Sequence, residues 1–338
     1  VITTSMERLS EFVIEKNKQQ AFLELLECLS KILKSRGTIL LALDNKYGIR
    51  KFSGVSQSGE NSFDIVTGKV KTTDTYSKKE IAELIEKSKF NSYKFYYPFP
   101  DYKLPSVIYS DEYMPNKNSS KLTYLLYYNP ADIVIFNEIY ALKEQVKDGY
   151  FDLLANSYLI EISNAKEEIC KAKFVSFNNF RKKENKMVTK IYDDHVEKSN
   201  IFEEGKNHIE CIENYAKILQ KCGFEIIDEV KNGKVYSKYQ TLDNLNDILC
   251  EVILSGKVDD AIKIIQNWYN YIIKNFSSIV LENNSIEFDV FKKYGVTVDN
   301  SLKQKLTFLK YGFFDIIFEN IFAKLDENGE FGRLLVYD

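Results

Sequence analysis

Apolar residues recur along this chain at two periods, and the switches between them mark its elements. Phe22, Leu25, Leu26, Leu29, Ile32 and Leu33 stand at helical spacing and stop at Gly37, a residue suited to ending a helix. Thr38 to Leu43 follows as a continuous apolar run, the pattern of a strand buried on both faces, so the pair predicts a helix leading into a parallel strand. Ser77 and Glu80 form a capping-box pattern ahead of Ile81, Leu84 and Ile85, which predicts a second helix. Beyond it Tyr93, Phe95 and Tyr97 alternate as a strand. Pro98-Phe99-Pro100-Asp101 turns the chain, and Leu104 to Tyr109 can return antiparallel.

Residues 113–150, with Pro115, Asn116, Ser119 and Asn129-Pro130, read as a connector that includes a helix from Ala131 to Lys147 ended near Gly149. A strand over Asn156 to Ile162 then opens a second region. In that region Phe174 to Phe180 alternates, the Lys182 to Lys186 turn reverses the chain, and Met187 to Tyr192 is a strand carrying Lys190. Ile209, Ile212, Ala216 and Leu219 stripe a helix that also bears Glu210. Two segments, Phe224 to Val230 and Lys234 to Gln240, flank an Asn232-Gly233 turn. Helices are expected over 245–252 and 258–272, where the aromatic stripe of Trp268 and Tyr269 reads as core, and over Leu302, Leu306 and Leu309. The chain ends on strands from Ile321 to Leu325 and Glu330 to Tyr337, joined at Asn328-Gly329. Asn-Gly suits such a turn because both central residues need positive φ.

Composition narrows the class without naming a function. The 338 residues, 44% hydrophobic and 28% charged, allow two ordinary domains with sizeable cores. A net charge of −3 gives no general drive toward nucleic acid or an anionic membrane, and no apolar run reaches membrane-spanning length. The five cysteines, Cys28, Cys170, Cys211, Cys222 and Cys250, show no C-x-x-C spacing, and the histidines are only His195 and His208. That usage suggests a reducing, cytoplasmic setting and argues against a structural zinc site.

Candidate chemistry gathers near the end of the chain. Asp315 and Asn320 form an Asp-x4-Asn pair, and the hairpin that follows would return Asp338 beside Asn320. In kinase-like phosphotransferases an Asp so placed contacts the acceptor hydroxyl, while the Asn and a second Asp hold Mg²⁺. The same spacing at Asp132 and Asn137, where nothing that follows supports a metal site, measures how readily it arises by chance. Lys190 is the candidate for the α/β-phosphates of Mg-ATP, with Glu210 as its helix partner; an edge-strand solubilising role is the plainer alternative. Tyr239 and Gln240 fall where a nucleotide hinge would lie. No Gly-x-Gly-x-x-Gly loop precedes Lys190, which counts against a typical protein kinase but less so against aminoglycoside- or choline-kinase-like enzymes, whose phosphate loop is less glycine-rich. Phe313 stands where such enzymes commonly carry His or Tyr, which keeps an inactive, nucleotide- or glycan-binding scaffold open as the alternative.

Three stretches carry a family resemblance: Leu41-Ala42-Leu43-Asp44-Asn45-Lys46-Tyr47-Gly48, Phe52-Ser53-Gly54, and Tyr96-Tyr97-Pro98-Phe99-Pro100-Asp101-Tyr102-Lys103-Leu104-Pro105. They resemble class I S-adenosylmethionine-dependent methyltransferases of bacterial surface-polysaccharide clusters, in which a kinase-like domain often follows. The resemblance implies an α/β protein. Residues 1–112 would be the C-terminal half of a Rossmann-like methyltransferase sheet, 113–150 a connector, and 151–338 an α+β bilobal kinase-like domain truncated at its C-terminus. It implies a sugar or glycan-precursor substrate, with Asp44, Asn45 and Lys46 on the substrate-side rim. The glycine-rich loop and the acidic residue that grip S-adenosylmethionine in that family would precede Val1.

Overall fold

The computed structural model describes residues 18–55, 61–70, 75–116, 122, 134–165, 169–178, 180–221, 224–276, 280–281, 295, 308–309, 317–326 and 329–337. It is a mixed α/β structure with a large mixed sheet and several helices, and it divides into two compact units at Gly205/Lys206. No helix among the described residues is long and apolar enough to cross a membrane.

The first unit opens with helix α1 (Lys18–Ile32) and strand β1 (Thr38–Asn45). Short helices α2 (Ile49–Phe52) and α3 (Ser62–Thr67) lead to strand β2 (Thr75–Tyr76) and helix α4 (Lys78–Glu86). Then come β3 (Ser92–Phe99), β4 (Val107–Ser110), α5 (Glu138–Lys147), α6 (Phe151–Leu154) and β5 (Ser157–Ser163). Strands β6 (Phe174–Phe177), β7 (Met187–Ile191) and β8 (His195–Asn200) complete the unit. Across the sheet these strands run β2-β1-β5-β3-β4-β6-β7-β8. The β1–β2 pair is parallel and the other pairs are antiparallel. The returning strand expected from the Pro98–Asp101 turn is present, with Tyr97 opposite Tyr109.

Two features of this sheet depart from the sequence reading. Strand β5, expected to open a second domain, lies between β1 and β3, with Leu41 opposite Ile160 and Phe95 opposite Ile160 on its other edge. Strand β1 is buried on one face and only partly covered on the other. Leu41 and Leu43 join Phe22 and Leu26 of α1 in the main core, whereas Leu40, on the opposite face, is 51% exposed. A run of apolar letters cannot distinguish these arrangements, because successive side chains point to opposite faces whatever covers them.

Local capping chemistry sets the helix boundaries. Ser77 and Glu80 close a reciprocal capping box on α4. Helix α5 starts later than the expected Ala131, because the Asn137 side chain accepts the Ile139 N–H at 2.9 Å and caps it. At its other end the Tyr150 N–H donates to the Gln145 carbonyl, and the Gly149 N–H, with φ 80°, to that of Val146. This is a Schellman closure that an L-side chain at position 149 would strain. Asn137, the chance counterpart of Asn320, therefore has a structural task; Asp132 lies outside the described residues. Asn137→Ala should destabilise the unit by about 1 kcal/mol, the usual cost of losing such a cap. Thermal denaturation checks this, and an unchanged melting curve would contradict the assignment.

The second unit contains α7 (Lys206–Lys221), β9 (Glu225–Ile226), and the hairpin of β10 (Asp228–Lys231) with β11 (Lys234–Lys238). The hairpin turns through Asn232 and Gly233 at φ 51° and 70°, the left-handed pair its sequence predicts. Strand β12 (Asp243–Asn244), helices α8 (Leu245–Leu254) and α9 (Val258–Phe276), and the short pair β13 (Val280–Leu281) and β14 (Phe308–Leu309) follow. Leu309, expected on a helix, is thus in extended backbone; Leu302 and Leu306 lie outside the described residues. Strands β15 (Ile321–Leu325) and β16 (Phe331–Val336) form the expected terminal hairpin, in a sheet ordered β12-β15-β16-β9. Its core joins Leu219, Phe224, Leu249, Ile264, Ile321 and Leu334.

Candidate functional site

The carboxyl end of β1 carries the densest polar construction in the first unit. Asn45 is fully buried: its Nδ2 donates to the Leu153 and Ala155 carbonyls, each at 2.7 Å, and its Oδ1 accepts the Tyr47 N–H at 2.9 Å. These bonds tie the turn after β1 to the end of α6. Gly48 completes the tie, since a Cβ at that position would lie 2.9 Å from the Asn156 Cα. Asn156 Oδ1 accepts the Arg50 N–H at 2.9 Å, and its Nδ2 donates to the Pro100 carbonyl at 3.2 Å and to Glu138 Oε2 at 3.1 Å.

Arg50 is the centre of this construction. Its Nη1 meets Asp101 Oδ2 at 2.7 Å and its Nε meets Glu138 Oε1 at 3.3 Å, with the three side chains 3%, 0% and 1% exposed. Burial alone would lower the Arg50 pKa, but Glu138 and Asp101 outweigh it and hold the guanidinium above its ordinary value. Asp101 also accepts the Lys103 N–H at 2.9 Å, and the Tyr102 N–H donates to Ser157 Oγ at 2.8 Å, so the loop after β3 is pinned to β5. Lys51 Nζ donates to the Asn45 carbonyl at 3.0 Å.

Beside this centre, Asp44 is the group with capacity to spare. It is partly exposed, and among the described residues its carboxylate accepts no hydrogen bond. Burial raises its pKa above the ordinary carboxylate value; Lys51, Lys103 and Arg50 pull it down and Asp101 pushes it up, with burial prevailing. Of the three expected rim residues, then, Asn45 is committed to structure and Lys46 rides over the Tyr47 ring at 5.3 Å. Sequence reasoning missed Arg50, Glu138 and Asn156. Asp101 stood inside the quoted hairpin motif, but nothing in periodicity or spacing marked its partners, which come from segments far apart in the chain.

The residues expected to serve a nucleotide are distributed differently. Lys190 on β7 faces Glu197 directly across on β8, at 3.9 Å, so its anion comes from the adjacent strand. Glu210 is exposed on α7, in the other unit. Tyr239 is exposed, and Gln240 Nε2 donates to the Lys238 carbonyl. Asn320 ends a 3-10 turn ahead of β15, and its carbonyl accepts the Tyr337 N–H at 3.1 Å. The terminal hairpin therefore brings the chain back to Asn320 at Tyr337; Asp315 and Asp338 lie outside the described residues. No protein-family model matches this chain, and no curated protein or solved structure matches it.

Proposed function

We propose that the first unit is the acceptor-binding part of a transferase acting on sugar hydroxyls, with Asp44 receiving the acceptor proton. One observation carries this reading. A half-buried carboxylate with no hydrogen bond among the described residues stands at the carboxyl end of β1, beside the parallel strand β2, against a rigid buried centre that fixes its backbone. A hydroxyl donor fits a bare carboxylate. The raised pKa makes Asp44 a stronger base toward that proton than an ordinary aspartate, and a carboxylate held by a braced strand needs little reorganisation to accept it.

The transferred group is assigned from the family resemblance, which points to a methyl group. In that family a glycine-rich loop after a strand grips S-adenosylmethionine, and the turn after β1 is not proposed for that task. The chemistry assigned to this unit is therefore that of the acceptor. Saturation-transfer NMR with simple glycosides tests it. Expected is contact with one face of the sugar that weakens in Asp44→Asn, and sugar contacts unchanged by that substitution would sink the reading.

For the second unit we propose a kinase-like phosphotransferase, a reading favoured by the return of the terminal hairpin to Asn320. Asn320 and Asp338 would hold the Mg²⁺ of Mg-ATP and Asp315 would orient the acceptor hydroxyl. Asp315→Asn should then lower ATP-dependent sugar phosphorylation by roughly 10²–10⁴-fold, while Asp132→Asn leaves it unchanged. Activity surviving Asp315→Asn would remove the catalytic role. Nucleotide binding without transfer in the wild type would instead leave the scaffold alternative that Phe313 suggests.

A further inference from the structure

Helix α9 carries two apolar stripes, and the core of the second unit uses one of them. Ala261 and Ile264 are buried there, with Trp268 and Tyr271 packed against them. The other stripe, Val258, Ile262, Ile265 and Tyr269, repeats at spacings of four, three and four residues and is 55%, 48%, 45% and 64% exposed. Ile253 and Leu254, at the end of α8, are also exposed.

A helix face that needed only solubility would carry charge at these positions. The mean spacing, about 3.7 residues, is close to the 3.6 of an α-helix, so the stripe stays on one side of α9 over these three turns and each apolar side chain can enter a gap on a partner surface. The ends of α9 indicate which surface that is. Its first turn holds Asp259 and Asp260 and its last turn holds Lys274. In an antiparallel pair of identical helices, the acidic turn of one lies beside the basic turn of the other, and each charge also complements the helix dipole. Nineteen residues span about 28 Å, and a two-fold axis between Ile265 and Tyr269 sets Ile265 of each copy opposite the other's Tyr269 and Asp260 opposite Lys274. We propose that this stripe is a self-association surface, on which a second copy of the chain packs its own α9 antiparallel to the first.

One helix pair buries less than a standard stable interface, so a weak dimer is expected, with Kd of roughly 10 µM. Sedimentation velocity over a concentration series measures it. The double variant Ile262→Glu/Ile265→Glu should be monomeric, weakened at least tenfold in association, with its circular-dichroism spectrum and melting unchanged. Asp259→Lys/Asp260→Lys should weaken the dimer, and adding Lys274→Glu should restore it. That rescue is specific to the antiparallel pairing, because parallel helices would place like ends together. A wild-type chain that stays monomeric throughout the series would overturn the proposal. So would a dimer indifferent to the Glu substitutions, or an open-ended oligomer, since a two-fold pairing closes on itself.

Discussion

Replacing Arg50 with methionine should be among the most damaging single changes in the first unit. The side chain fits, but Asp101 and Glu138 would be left buried without their cation, and an uncompensated charge of this kind costs about 3–5 kcal/mol. For a unit of this size that corresponds to a Tm lower by roughly 10 °C. The expected consequence is broader than one lost ion pair. Asp101 holds the Lys103 N–H and Glu138 holds Asn156, so the loop after β3 and the turn after β1 should loosen together. Hydrogen exchange would read this as joint loss of protection at Tyr102, Lys103 and Arg50. Replacing Asp101 and Glu138 with leucine in the same molecule should recover only part of the loss, because their backbone and Asn156 bonds go as well. A destabilisation below about 1 kcal/mol for Arg50→Met would show that the buried triad is not what organises the site.

Asp44→Asn should separate function from stability in the opposite direction. If Asp44 takes the acceptor proton, turnover of the sugar hydroxyl should fall by roughly 10²–10⁴-fold. The fold should gain at neutral pH, because the substitution removes a carboxylate whose charged form burial disfavours. The sign follows from proton uptake. The folded chain holds the Asp44 proton to higher pH than the unfolded chain does, so this group's contribution to stability is present in acid and is lost as pH rises through its raised folded value. Asparagine has no such loss. The advantage of the variant at pH 7 should therefore shrink as pH is lowered and vanish below the ordinary carboxylate range. Melting curves across that window test the electrostatics, and turnover tests the chemistry. A variant less stable than wild type at pH 7 would mean that Asp44 is paired rather than open.

Some of this was legible in the letters alone because its physics is local. The Ser77/Glu80 capping box and the Asn232-Gly233 turn each depend on residues a few positions apart, and both appear where the spacing predicts them. The terminal hairpin does too, and helix existence was read correctly for α1, α4, α7, α8 and α9. Asp44, Asn45 and Lys46 could be singled out as a polar strand end, but their spacing could not rank them. Only the folded neighbourhood shows Asn45 spent on the carbonyls of Leu153 and Ala155 while the half-buried Asp44 accepts no hydrogen bond among the described residues.

What the sequence determined by itself, then, is helices α1, α4, α7, α8 and α9 and the hairpins β3–β4, β6–β7, β10–β11 and β15–β16. Tertiary structure decided the neighbours. It set β5 between β1 and β3, exposed Leu40, paired Lys190 with Glu197, and gathered Arg50, Asp101, Glu138 and Asn156 into one buried centre. Periodicity records which face of an element is apolar, because that follows from the geometry of a single helix or strand. It carries no record of which distant segment will cover that face, since strand pairing and charge pairing are chosen by packing over the whole chain.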